Sequence, residues 1–148
     1  MAAVLDRLQS LRVADVMNRH VIPVSGQQTM SEAAAVFVEH RISGAPVVDE
    51  HGRCVGILSA TDFVGRERER AAGAVGAAGD KVVSAHMNAA ARTVSAETSL
   101  VEAARIMCAQ HVHRLPVLDA QDRPRGMITS LDIVAAVVQA VEEQRGPP

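Results

Sequence analysis

Apolar side chains recur along this chain at two spacings, and the same succession of spacings occurs twice. From Met30, the positions Ala33, Ala34, Phe37 and Val38 follow in three- and four-residue steps, and from Leu100 so do Ala103, Ala104, Met107 and Cys108. Each set makes one stripe of an amphipathic helix. Ser31 with Glu32, and Ser99 with Glu102 three residues on, supply helix-start chemistry, the second pair at capping-box spacing. After each helix the pattern changes to short β-favouring runs. The first copy has Ala45-Pro46-Val47-Val48 and then Cys54-Val55-Gly56-Ile57-Leu58, and the second has Leu115-Pro116-Val117-Leu118 and then Arg125-Gly126-Met127-Ile128. A polar turn separates the runs of each pair, which predicts two hairpins. Gly52 suits the first turn, while Pro124 lacks an N–H and keeps the start of its strand outside the ladder. A further helix is predicted from Ser59 through Asp62-Phe63-Val64, and its counterpart from Thr129 through Asp132-Ile133-Val134 to Val138.

The two halves are copies. Residues 13–64 align with 83–134 at a constant offset of 70 without a gap. Identical pairs include Val13/Val83, Met17/Met87, Asn18/Asn88, Val24/Val94, Glu32/Glu102, Pro46/Pro116, Asp49/Asp119, Gly56/Gly126 and Asp62/Asp132, with Thr29/Ser99 and Ser59/Thr129 as conservative partners. The repeated unit is β-α-β-β-α, which makes the fold class α+β. The expected organisation is a helical lead-in at 1–12, unit one at 13–68, a Gly/Ala-rich linker at 69–81, unit two at 82–140 and a tail at 141–148. The alternating Arg and Glu of residues 66–70 suit a solvated extension of the helix before the linker.

Composition narrows the function. With 148 residues and a net charge of −2, the chain suits one cooperative body and lacks the positive field that nucleic acid or an anionic membrane attracts. Phe37 and Phe63 are the only aromatic residues, so stacking platforms for single-stranded nucleic acid are missing. Charges or Gly interrupt every apolar stretch before the ~18 residues needed to span a bilayer, and the expected location is cytoplasmic. Cys54 and Cys108 match neither a disulfide framework nor a C-x-x-C motif and read as buried reduced thiols. His111 and His113 alternate along a strand, but a zinc site needs three or four convergent ligands, so no metal is expected. No nucleophile–base set, paired carboxylates or phosphate loop of the Walker type appears, which argues against an enzyme.

These residues are specific enough to carry a resemblance. Residues 39–49, Glu-His-Arg-Ile-Ser-Gly-Ala-Pro-Val-Val-Asp, and 110–119, Gln-His-Val-His-Arg-Leu-Pro-Val-Leu-Asp, are each followed by G-x-x-[ST]-x-x-D, as Gly56, Ser59, Asp62 and as Gly126, Thr129, Asp132. In this the chain resembles a tandem pair of CBS domains, the regulatory module named after cystathionine β-synthase. The resemblance implies two pseudo-symmetric units packed sheet to sheet as one compact module, with two related clefts. It further implies binding of an adenosine-containing small molecule such as AMP, ADP or ATP, no catalytic cofactor, and pairing into a homodimer.

In the G-x-x-[ST]-x-x-D segment a hydroxyl at the strand-to-helix junction and a carboxylate one turn later flank a helix N-terminus, which favours anions. Asp132 and Asp62 suit the vicinal hydroxyls of a ribose. The plainer reading is that Ser59 and Thr129 cap their helices and the aspartates favour the dipole. In the family, positions like His113 and Arg114 often meet phosphate, and the planar fork of arginine bonds phosphate oxygens in pairs. Their first-copy counterparts, Ser43 and Gly44, carry no charge. The expected primary cleft therefore combines His113, Arg114, Met127, Thr129, Leu131 and Asp132 with Val21, Ile22, Pro23 and Ile42. A secondary cleft would combine Ile57, Ser59 and Asp62 with Ala91, Arg92, Thr93 and Val112. The function expected is a nucleotide sensor acting on a separate effector protein. The alternative is an interaction module whose clefts stay empty, with Val134 to Val138 and Val141 as an apolar pairing face.

Overall fold

In the computed structural model, residues 1–71 and 81–146 are described. Most of the expected Gly/Ala-rich linker, 72–80, and the end of the expected tail, 147–148, lie outside the described residues. Two short helices, α1 (Ala2–Ser10) and α2 (Val13–Val16), lead into the first repeat, which runs β1 (Val24–Ser25), α3 (Met30–His40), β2 (Gly44–Val48), β3 (Cys54–Ser59) and α4 (Ala60–Ala71). The second, after a 3₁₀ turn at Val83–Ala85, runs β4 (Val94–Ser95), α5 (Leu100–Gln110), β5 (Arg114–Leu118), β6 (Pro124–Thr129) and α6 (Ser130–Arg145). The fold is α+β, with two three-stranded sheets ordered β1-β2-β3 and β4-β5-β6. The opening strand of each repeat lies parallel to the hairpin, Val24 opposite Val47 and Val94 opposite Val117. Within the first hairpin, β2 and β3 are antiparallel, with Val47 opposite Gly56.

Local chemistry explains the helix ends. Thr29, rather than Ser31, caps α3: its hydroxyl accepts from the Glu32 N–H at 3.1 Å, and the Glu32 carboxylate accepts from the Thr29 N–H at 3.1 Å. Ser99 accepts likewise from the Glu102 N–H at 3.1 Å, so both copies start their first helix in the register of the repeat. Both helices end on a residue in the left-handed region, Arg41 (φ 54°) and His111 (φ 53°). The following N–H then returns to the helix, from Ile42 to the Phe37 carbonyl at 3.0 Å and from Val112 to the Met107 carbonyl at 3.1 Å. The Arg/Glu run does prolong α4, and α6 continues to Arg145, through part of the segment expected as a tail.

The apolar stripes need one correction. Met30, Ala33 and Phe37 are buried, as are Leu100, Ala103 and Met107, but Val38 is 79% exposed and its counterpart Cys108 is exposed too. An eight-residue step, from 30 to 38 or 100 to 108, turns a helix by ~80° past two full turns, which carries these positions off the buried face. Cys108 is therefore not the buried thiol expected, whereas Cys54 is half-buried, and both are unpaired by disulfide.

Chain contacts divide the protein into two bodies that do not follow the repeat boundaries. One comprises residues 21–91 with 121–124, the other residues 1–20 with 92–120 and 125–148. In the first body Val24, Met30, Ala33, Phe37, Ala45, Val47, Leu58 and Val83 form the core, and Phe63 meets Phe37 edge-on with ring centroids 5.1 Å apart. The segment around Val83 is stitched in by the Val83 N–H to the Gln28 carbonyl (2.8 Å) and by Asn88 pairing with Ile57 in both directions (2.9 and 3.1 Å). In the second body Val13 and Met17 occupy the equivalent place beside Val94, Leu100, Leu115 and Ile128. There the Val13 N–H bonds the Thr98 carbonyl (2.8 Å), and Asn18 pairs with Met127 in both directions, each at 2.9 Å. Burying these methyl-rich side chains is the main driving term, ~1.5–3 kcal/mol for each large one.

Candidate functional site

The G-x-x-[ST]-x-x-D segments form two strand-to-helix junctions, one in each body. At the β6–α6 junction the Thr129 N–H donates to Asp132 Oδ2 at 2.8 Å, and the Asp132 N–H donates to Thr129 Oγ1 at 3.2 Å. At the β3–α4 junction the Ser59 N–H donates to Asp62 Oδ2 at 2.7 Å, while Ser59 Oγ lies 2.8 Å from Thr61 Oγ1 and 3.2 Å from Asp62 Oδ2. The Thr129 hydroxyl thus caps α6, whereas the Ser59 hydroxyl turns to Thr61 and Asp62 and at α4 it is the Asp62 carboxylate that accepts the Ser59 N–H. These contacts use one oxygen of each aspartate. Among the described residues, no group hydrogen-bonds Oδ1 of Asp132 or Asp62, so an acceptor remains at each helix start.

The first residue of each helix ties the junction to the residue just before the first hairpin strand. The Ser130 N–H donates to the His113 carbonyl at 2.8 Å, and the Ala60 N–H donates to the Ser43 carbonyl at 3.0 Å. His113 is consequently held beside the start of α6, and Arg114 opens β5 next to it. Arg114 is half-buried, and loss of water around it pulls its guanidinium below the usual arginine value. Partial desolvation strengthens its attraction for any anion it meets, because competing water is reduced.

Of the residues expected around the primary cleft, His113, Arg114, Met127, Thr129, Leu131 and Asp132 belong to the second body and gather along β5, β6 and the first turn of α6. Met127 is half-buried and Leu131 is 74% exposed. Val21, Ile22, Pro23 and Ile42 belong to the first body, where Ile42 packs on the core and Pro23 is exposed. Of the secondary set, Ile57, Ser59, Asp62 and Ala91 lie in the first body. Arg92, Thr93 and Val112 lie in the second, with Arg92 and Thr93 exposed and Val112 packed on its core.

Sequence reasoning missed why the glycine of the motif is there. A Cβ on Gly56 would stand 2.8 Å from the Asn88 carbonyl oxygen and 2.9 Å from the Met87 sulfur. The Met-Asn pair of each repeat therefore lies across the motif glycine of its own body, and its side-chain amide folds the next turn: Asn18 Oδ1 accepts from the His20 N–H at 2.9 Å, Asn88 Oδ1 from the Ala90 N–H at 3.1 Å. The identities Met17/Met87 and Asn18/Asn88 carried that signal. Among the described residues no group of three or more His, Cys, Asp or Glu side chains is arranged to hold a metal ion, and no helix is long and apolar enough to cross a membrane.

Comparison with known proteins decides the family, since residues 13–69 and 82–139 each match the CBS domain. The chain belongs to the CBS domain family. Among curated CBS-containing relatives, inosine-5'-monophosphate dehydrogenase of Methanocaldococcus jannaschii is 32% identical over 95% of this chain, but this chain covers 27% of that enzyme. The chloroplastic CBS domain-containing protein CBSX1 of Arabidopsis thaliana is 29% identical over 75% of this chain, which covers 56% of that protein. The chain thus spans between about a quarter and just over half of these relatives. Among solved CBS pairs, CBSX2 in complex with AMP superposes with a TM-score of 0.76 at 28% identity, covering 88% of this chain and 98% of that one. The CBS pair of protein MJ0100, in complex with 5'-methylthioadenosine and S-adenosyl-L-methionine, gives 0.76 at 25% identity, covering 86% and 96%.

Proposed function

We propose that this CBS pair is a regulatory sensor for an adenosine-containing ligand, acting in the cytoplasm on a separate effector protein and performing no catalysis itself. The observation that carries the reading is the junction at Thr129 and Asp132. There a carboxylate oxygen without a partner among the described residues stands at a helix N-terminus, and the half-buried Arg114 follows His113, whose carbonyl accepts the Ser130 N–H. The AMP and S-adenosylmethionine complexes of its structural neighbours support the ligand class. The Asp62 junction repeats the carboxylate without the basic pair, so the two sites are expected to differ in affinity.

Titration calorimetry with AMP, ADP, ATP, NAD and S-adenosylmethionine tests this. At least one is expected to bind, and Asp132→Ala or Arg114→Ala to weaken it about 10- to 100-fold, the worth of one charge-assisted hydrogen bond. Asp62→Ala is expected to change the tighter site little. Binding by none, or equal effects of Asp62→Ala and Asp132→Ala, overturns the reading.

One observation favours the second reading, a homodimerising interaction module. Leu131, Val134, Val138 and Val141, spaced three and four apart on α6, are 74%, 55%, 49% and 38% exposed. Sedimentation of the wild type against Val134→Asp/Val138→Asp distinguishes a dimer from a monomer.

A further inference from the structure

Within the second body, a cavity of about 260 Å³ opens between α1, α2 and α6. It lies apart from the junction at Asp132, and its lining is chemically divided. Leu11, Ala136 and Ala140, all buried, give an apolar floor, to which Val16 adds a half-buried edge. Arg7, Asp15, Gln139 and Glu143 supply the polar wall.

The polar groups are unequally engaged. Arg7 Nε pairs with Glu143 Oε2 at 3.4 Å, and Gln139 Nε2 donates to Glu143 Oε1 at 3.3 Å, so both oxygens of Glu143 are used. Asp15 Oδ2 accepts the Arg12 N–H at 2.7 Å. Among the described residues, no group hydrogen-bonds the two terminal nitrogens of Arg7 or Oδ1 of Asp15. One cavity thus presents a cationic fork, a carboxylate oxygen and an aliphatic floor between them. The fork fits a carboxylate in two parallel bonds and Oδ1 of Asp15 fits an ammonium. Sites for drug-sized ligands run to about 300–1,000 Å³, so this one suits something smaller than a nucleotide.

We propose that this cavity is a second effector site that binds an aliphatic α-amino acid as its zwitterion, the carboxylate on Arg7 and the ammonium on Asp15. The site joins α1 to α6, so an occupant fastens the N-terminal helix to the helix that starts at Thr129. α1 has no fully buried residue; Leu8 packs on the core and the half-exposed Arg7–Glu143 pair adds a polar tie to α6, so the helix gains from such a bridge without depending on Arg7.

The test is methyl NMR of the full chain, following Ala136, Ala140 and Leu11 while L-leucine is added. Saturable shifts at these three residues are expected, with a dissociation constant on the order of 0.1–1 mM, as suits partly exposed charges. L-leucinamide and N-acetyl-L-leucine, each lacking one charge, are expected to bind at least tenfold more weakly. Arg7→Gln and Asp15→Asn are each expected to weaken leucine at least fivefold. Asp15 also caps α2, so the exposed Arg7 variant, whose fold is not at risk, is decisive. Asp132→Ala is expected to leave leucine binding unchanged, which separates this site from the nucleotide reading. Absence of shifts up to ~20 mM leucine, equal binding of either blocked analogue, or unchanged affinity in Arg7→Gln overturns the proposal.

Discussion

A Cβ on Gly126 would stand 2.8 Å from the carbonyl oxygen of Asn18 and 3.0 Å from the sulfur of Met17. The sulfur is the flexible part of a side chain and can turn aside. The carbonyl is held in the paired hydrogen bonds of Asn18 with Met127, so adding a methyl group must break or stretch that ladder. Gly126→Ala is expected to lower unfolding free energy by about 1–3 kcal/mol, the usual range for forced overpacking. Gly56→Ala, facing the Asn88 carbonyl at the same distance, should cost a similar amount. Gly65 has nothing within 4 Å of a Cβ, and Gly65→Ala, within a helix, should instead stabilise by roughly 0.5–1 kcal/mol. Urea denaturation of the three variants measures all of this.

Thr129 caps α6 through its hydroxyl, accepting from the Asp132 N–H at 3.2 Å. Removing it in Thr129→Ala exposes an orphan donor at a helix start and is expected to cost about 0.5–2 kcal/mol, while Thr129→Ser recovers most of that. Thermal unfolding followed by circular dichroism at 222 nm reads the difference.

The two thiols should differ sharply in reactivity. Desolvation pushes the Cys54 thiol above its ordinary value, its Sγ–H donates to the Gly56 carbonyl at 3.4 Å, and the charge of Asp122 raises it further. Desolvation and the Asp122 charge outweigh the opposing Gly56 hydrogen bond, and the net result lowers the thiolate fraction that attacks reagents. Cys108 is exposed on α5. A maleimide at pH 7 is expected to label Cys108 first, and Cys54 at a comparable rate only in denaturant. Mass spectrometry of the native and unfolded chain decides it.

Acid should loosen the first hairpin through Asp49. The N–H of Arg53 bonds its carboxylate at 3.0 Å and the N–H of His51 at 2.8 Å; the Arg53 bond leads in holding the group below its ordinary 3.8 despite opposing desolvation. A carboxyl whose folded value is depressed contributes stability above its unfolded value and loses it as the pH falls through the folded one. The wild type is therefore expected to be more stable than Asp49→Asn at pH 7, and the two to converge below about pH 4. Denaturant midpoints across this range give the answer.

The repeat was legible because the physical demands are local and recur. Apolar spacing marks α3 and α5, Gly52 and Asp122 hold the same left-handed turn position in the two hairpins (φ 78° and 62°), and the G-x-x-[ST]-x-x-D segments mark both junctions. The Thr29 cap was legible too, through its alignment with Ser99, although the nearer Ser31, adjoining Glu32, offers competing helix-start chemistry. The exposure of Cys108 was less visible, since one extra turn of apolar residues looks like more core. Exchange of the Met-Asn segments was not legible at all. Residues 13–20 and 82–91 look like ordinary starts of their own repeats, and only long-range hydrogen bonds such as Asn18 with Met127 assign them elsewhere.

That assignment bears on how the chain emerges from a ribosome. The first body needs residues 82–91 and draws on 121–124, where the Asp122 carbonyl accepts the Cys54 N–H at 2.8 Å. Synthesis of the first repeat alone therefore leaves Gly56 uncovered and Ile57 without its Asn88 partner, so one edge of β3 stays open until residues 82–91 are made. A stop codon between the repeats would therefore yield a fragment with an open strand edge rather than half a working protein.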